Sequence, residues 1–415
     1  MPAVERVRRI LAYGIAASML SGCGGSLPSA GLKALPQARA ETGQRLAPAS
    51  SYRVVTSFGR PGKGAHPFGS LIDVDGTLYG TTYAGGAKNE GTVFSITAAG
   101  QETVLHSFAG GFDGANPQAG LLAVKGMLYG TTSAGGAHGD GTVFRITTRS
   151  TGTVEKVLYS FKGGSDGANP FAALIDVRGM FYGTTLHGGQ SDYGTVFRIT
   201  AYGTERVLHR FSGLLDGAWP YASLTGVRGT MYGTTDSGGM GCGSYDCGTV
   251  FSITPGGQEQ VLYRFNGLDG AYATTSLLNV NGVLFGTTLG GGPNGFGTVY
   301  SITTSGEENA IYDFAGGTDG IYPSALVSVR GKLFGTTSAG GVNNDGTIFS
   351  VTALGDENVL YSFGTGSHDG IEPFAGLLDV DGALYGTTGY GGGGRLCVLN
   401  HREGCGTVFA FTPSR

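Results

Sequence analysis

The side chains with the most obvious chemistry are four cysteines in two local pairs, Cys242 with Cys247 and Cys397 with Cys405. Thiols at these spacings can close two small disulfides in an oxidising compartment, each worth roughly 2–3 kcal/mol through the entropy of the unfolded chain. Four thiolates could instead bind zinc, but the pairs lie far apart in sequence and lack Cys-x-x-Cys spacing, so disulfides are the expectation. A second set is the aspartate of a recurrent Asp-Gly: Asp113, Asp166, Asp216, Asp269, Asp319 and Asp369, with Lys63 in the corresponding first place. Calcium takes six to eight oxygens, and one carboxylate per loop is too few; an Asp that bonds nearby backbone N–H groups in a turn is the simpler reading. The seven histidines do not recur by position in most units. The chain has no Walker loop and no His-Glu-x-x-His. No catalytic residue, metal or cofactor is therefore expected, although an enzyme drawing unlike residues from several units stays open.

A third set points to recognition. His66, Asn116, Asn169, Trp219, Tyr272, Tyr322 and Glu372 each precede a linker proline or its equivalent. Aromatics beside amides, an imidazole and a carboxylate suit sugar or peptide binding. The alternative is that pre-proline residues are simply extended and that the aromatics cover glycine-rich backbone.

These residues must be positioned by a repeat. Gly-Thr-Thr begins at Gly80, Gly130, Gly183, Gly233, Gly286, Gly335 and Gly386. A Gly-Thr-Val-Phe-like element follows at Gly91, Gly141, Gly194, Gly248, Gly297, Gly346 and Gly406. A period near 50 residues means one supersecondary unit repeated seven times. In the second unit, Ala119–Val124 (strand a) and Met127–Thr132 (b) flank the tight turn Lys125-Gly126. A variable loop leads to Thr142–Thr147 (c), and a turn leads to Val154–Phe161 (d). Four antiparallel strands per unit predict an all-β, seven-bladed β-propeller of four-stranded blades. The last unit stops after strand c, and its missing strand d is Arg53–Phe58, so the N-terminal strand completes the C-terminal blade.

Tyr129, Phe144 and Phe161 mark three positions that are aromatic in every unit, which argues for packing between blades. The threonine pair suits exposed or half-buried strand positions. In a meander the b–c loop and the d–a linker share one face, which holds the cysteine pairs and the longest insertion, Gly391–Gly404. Variable loops on a repeated scaffold are where specificity usually lies.

The N-terminus reads as an address. Arg6, Arg8 and Arg9 precede an apolar run, Ile10–Leu20, too short to span a bilayer. Leu20-Ser21-Gly22-Cys23 resembles a bacterial lipobox, which implies cleavage before Cys23 and its acylation. Residues 1–22 are then signal peptide, 23–50 a flexible Ala/Gly/Pro/Ser-rich tether and 51–415 the propeller. Removing residues 1–22 takes away three Arg and one Glu, moving the formal charge from −4 to −6. With no basic stripe, nucleic acid is not an expected partner.

The Leu-Tyr-Gly-Thr-Thr and Gly-Thr-Val-Phe pairing over residues 51–415 resembles the glycine-rich GloVer tandem repeats of bacterial surface proteins, whose membrane anchors vary. The resemblance implies a class and hands over no catalytic residues. The expectation is a lipid-anchored, monomeric propeller in the bacterial cell envelope, periplasmic or surface-exposed. It would bind a glycan or another envelope protein without catalysis. An envelope polysaccharide hydrolase or lyase using loop-face residues is the alternative, and a purely structural surface protein a third.

Overall fold

A computed structural model describes residues 50–149, 152–213, 215–239, 242, 247–393, 397–399 and 402–414. The residues expected to be signal peptide, Cys23 and most of the expected tether lie outside these residues. Seven sheets, each with four antiparallel strands in meander order, form the ring of a seven-bladed β-propeller. In blade 2 the strands are Leu122–Val124 (a), Met127–Thr132 (b), Thr142–Arg149 (c) and Gly152–Ser160 (d). Blade 7 is closed as expected: Leu378–Val380, Ala383–Thr388 and Thr407–Thr412 supply a to c, and Ser51–Ser57 supplies d. Ser51 lies opposite Thr412 and Ser57 opposite Thr407. Blade 6 adds a short inner strand, Ile321–Pro323, on Lys332–Ala339.

The repeated residues explain the blade. The glycine of Gly-Thr-Thr lies under the aromatic ring of the following strand: a Cβ on Gly130 would come within 2.5 Å of Phe144 Cζ. That ring, fully buried, then meets the last aromatic of the preceding blade edge-on. Phe108–Phe144, Phe161–Phe197 and Phe265–Tyr300 have centroids 5.1 Å apart, Phe363–Phe409 5.2 Å, and the pair that closes the ring, Phe58–Phe94, 5.0 Å. Each such contact adds about 0.5–1.5 kcal/mol beyond the area it buries.

The threonine pair corrects the sequence expectation. Both members are buried, not half-exposed. The second bonds within its blade: Thr132 Oγ1 lies 2.8 Å from Thr142 Oγ1 and donates to the Ala134 carbonyl. The first crosses to the next blade, as when Thr131 Oγ1 donates to the Ala172 carbonyl. The same bond closes the ring, from Thr387 Oγ1 to the Gly69 carbonyl at 3.3 Å. Threonine is tolerated inside because each hydroxyl finds a partner there.

All seven a–b turns carry two left-handed residues, such as Asp75-Gly76 and Arg228-Gly229, as the tight-turn reading requires. Small residues of neighbouring linkers meet towards the ring's centre: Ala173 N donates to Ser223 Oγ and Ser223 N to Ser276 Oγ.

Candidate functional site

The b–c loops and d–a linkers lie together on one face, tied by pairs such as Ala115 with Ala134 and by Gly136 N donating to the Gly111 carbonyl. The two disulfides sit here. Cys242 and Cys247 are bonded with Cα atoms 5.6 Å apart, and Cys397 and Cys405 with 5.1 Å. A Cβ on Gly267 or Gly59, at the start of the adjoining linkers, would run into these sulfurs. Each bridge therefore braces a linker as well as its own loop.

The seven pre-proline positions share one conformation, and it is not extended. His66, Asn116, Asn169, Trp219, Tyr272, Tyr322 and Glu372 have φ between 53° and 62°. Asparagine tolerates this left-handed region; for tryptophan, tyrosine and glutamate it is strained. The backbone shows what imposes it. Each residue donates its N–H to the carbonyl just before the preceding blade's Gly-Thr-Val: Trp219 to Tyr193, Tyr272 to Cys247, Glu372 to Asp345. Its own carbonyl commonly accepts from the residue after Gly-Thr-Thr, as from Asp236 to Trp219. The position is a latch between blades, and only a left-handed turn lets both groups reach.

The side chains divide. His66 Nδ1 meets the Gly389 carbonyl at 2.9 Å, and Asn116 and Asn169 donate to the Tyr83 and Ser133 carbonyls. These three serve the scaffold; burial also holds the His66 imidazole below its usual pKa. Glu372, 9% exposed, pairs with Arg402 of the disulfide-bearing insertion at 2.6 Å. Burial and then the neighbouring Asp345 raise the Glu372 carboxyl, while Arg402 draws it down. Trp219 packs edge-on against Tyr193 at 5.4 Å, and Tyr272 is 38% exposed.

Sequence reasoning missed a second aromatic set, two residues further on. Phe68 and Phe374 meet at 5.6 Å and Phe171 and Tyr221 at 5.4 Å, all half-buried. Phe68 also touches Tyr83 and Tyr390. The signal was present: this place, just past the near-constant proline, is aromatic in four units and polar in others.

The recurrent aspartates are turn residues, as read. Asp166 accepts the Lys162 N–H and Asp319 the Ala315 N–H. They also do something not foreseen. Each faces a histidine or tyrosine of its own blade's strand d, as in Tyr159 Oη to Asp166 at 2.8 Å and His209 to Asp216 at 3.1 Å. Across the outer seam stands a glutamate from the next blade's strand d. Glu155, Glu205, Glu308 and Glu357 are pushed up to about 7, first by burial and then by Asp113, Asp166, Asp269 and Asp319 respectively. Two seams differ: Lys63 donates to the Glu102 carbonyl, and Tyr52 donates to Asp369.

The profile of the Gloeobacter/Verrucomicrobia repeat matches residues 42–243 and 240–415, so the chain belongs to that family. No curated protein matches significantly. A puromycin hydrolase structure is 12% identical, with a TM-score of 0.52, over 78% of this chain and 50% of that one. The designed protein Ika8 is 16% identical, with a TM-score of 0.47, over 86% and 98%. The quinohemoprotein alcohol dehydrogenase of Comamonas testosteroni is 13% identical, with a TM-score of 0.46, over 89% and 77%. At these identities the likeness concerns the fold alone.

Proposed function

We propose that this member of the Gloeobacter/Verrucomicrobia repeat family is a non-enzymatic binding module of the cell envelope. Its loop face would take a glycan, and a lipid on Cys23 would hold the monomeric propeller to a membrane by way of the 23–50 tether. One observation carries the reading: Trp219, Tyr272 and Tyr322 stand in the left-handed region at a place where Asn116 and Asn169 serve the scaffold at lower cost. Strain retained in bulky side chains on an exposed face is a mark of function. Flat rings on that face, Phe68, Phe171, Tyr221 and Phe374 among them, suit stacking on the apolar faces of sugars. The two disulfides fit an oxidising, extracytoplasmic compartment. A hydrolase would most naturally use Glu372 with Asp345, but the Arg402 guanidinium holds Glu372 as an ion-pair partner.

The test is a glycan screen on the Cys23→Ala chain, read by calorimetry in every variant and by the fluorescence of Trp219, its one tryptophan, where that residue is kept. Trp219→Ala and Tyr322→Ala are expected to weaken binding of any hit by about 1–3 kcal/mol each. Unchanged affinity in both sends the search to the Gly391–Gly404 insertion, and glycan turnover in place of binding would establish the enzyme.

A further inference from the structure

His106, Asp113 and Glu155 meet at the outer seam between blades 1 and 2. Strand d of blade 1, Glu102–Ser107, carries the imidazole; the linker after it carries Asp113; strand d of blade 2 carries Glu155. One ligand atom from each lies within 4.8 Å of the other two, with His106 Nε2 at 3.1 Å from Asp113 Oδ1. Glu155 Oε1 is sealed from solvent and has no hydrogen-bond partner. The carboxyl sits near pKa 7 because burial and Asp113 both oppose its charge.

The other seams are an internal comparison. Tyr159, Tyr263 and Tyr312 replace the imidazole at three of them, and a neutral phenol is a poor ligand for a divalent ion. His209, Asp216 and Glu259 repeat the residue types, but Asp216 is already engaged. Its carboxylate accepts from the Ser212 N–H and hydroxyl, the Gly213 N–H and His209. Asp113 Oδ2 takes the Ala109 N–H, and Oδ1 has His106 alone. Among the described residues, three such ligands converge only at the first seam.

We propose that this seam binds a zinc-type divalent cation through His106 Nε2, Asp113 Oδ1 and Glu155 Oε1, with water completing a tetrahedron. One imidazole and two carboxylates suit zinc better than calcium, which wants six or more oxygens. The ion would staple blade 1 to blade 2, against the sequence-level expectation of no metal.

The test titrates Zn²⁺ into the untagged, chelator-treated Cys23→Ala chain at pH 7 by calorimetry, with melting followed in parallel. Saturable binding of one equivalent and a raised melting temperature are expected. His106→Gln and Glu155→Gln should each lower affinity by about tenfold or more, while His209→Gln leaves it unchanged. A seam that is only structural would change the melting of Glu155→Gln and give no zinc heat in any chain. No saturable binding in the parent, or undiminished binding in both His106→Gln and Glu155→Gln, overturns the proposal.

Discussion

Glu205, Glu308 and Glu357 make stability depend on pH in a direction that can be worked out. In the fold each carboxyl sits at about 7, against an ordinary value of 4.5. Burial is the first cause, and the facing Asp166, Asp269 and Asp319 the second; Tyr159, Tyr263 and Tyr312 oppose the shift, as do Lys162 and Arg210 at the first of these seams. Because the folded pKa is raised, the native chain binds more protons than the unfolded chain between these two values. The contribution is fully present below pH 4.5 and is lost as pH rises through 7. The shift of 7 − 4.5, about 2.5 units, sets an upper bound of about 3.4 kcal/mol per group. These side chains are only half-buried, and solvent screening reduces that to about 1 kcal/mol each, or about 3 kcal/mol for the three. Residues 51–413 make 413 − 51 + 1 = 363 residues. At about 2.1 cal/mol/K per residue, the entropy of unfolding is about 0.76 kcal/mol/K, so the melting temperature should fall by about 4 °C from these groups between pH 5 and pH 8. The assay is calorimetric melting of the parent and of Glu205→Gln/Glu308→Gln/Glu357→Gln across that range. The triple variant should melt above the parent at pH 8 and converge with it at pH 5. Equal pH slopes in the two chains would refute charged repulsion at the seams.

Deleting residues 51–58 removes strand d of blade 7 together with the Tyr52–Asp369 bond and the Phe58–Phe94 contact, and bares an edge. The truncated chain should melt far below the parent in a thermal scan. Phe161→Ala, which removes a fully buried ring from a seam, should cost about 3–5 kcal/mol in denaturant unfolding. Trp219→Ala should cost far less, because an exposed-face ring is exchanged for a small residue. Cys23→Ala should leave an unlipidated protein by mass, which no longer partitions into detergent; persistent lipidation would show that the lipobox is not used.

The architecture was legible because its causes are local and repeated. Gly130 must be glycine for Phe144 to lie over it, and that requirement is written at the same place in all seven units. The displaced strand d was legible for the same reason: Val54 to Phe58 echoes Val104 to Phe108, and the pairing with Thr407–Thr412 follows. The conformation of the pre-proline residues was hidden. Proline disfavours the right-handed region before it and leaves both the extended and the left-handed region open. The choice is made by two backbone bonds to partners from different blades, Trp219 N–H to Tyr193 and Asp236 N–H to Trp219, which no local rule contains.

The seam glutamates were hidden for a related reason. An acid at the start of an exposed-looking strand reads as a solvated end, and only the ring brings Glu205 against Asp166 of the preceding blade. A carboxyl pair of this kind is costly when both are charged. The chain meets that cost in different ways around one circle: a raised glutamate facing a tyrosine–aspartate pair at three seams, one facing a histidine–aspartate pair at two, Lys63 at one, and Tyr52 in place of the glutamate at the seam between blades 6 and 7. The substitution at Tyr52 falls where the N-terminal strand must find its blade. There Tyr52 stacks on Tyr361 at 3.9 Å and donates to Asp369 at 2.6 Å, replacing a repulsion with two attractions. The strand that the N-terminus contributes to blade 7 thus meets blade 6 without an opposing carboxylate.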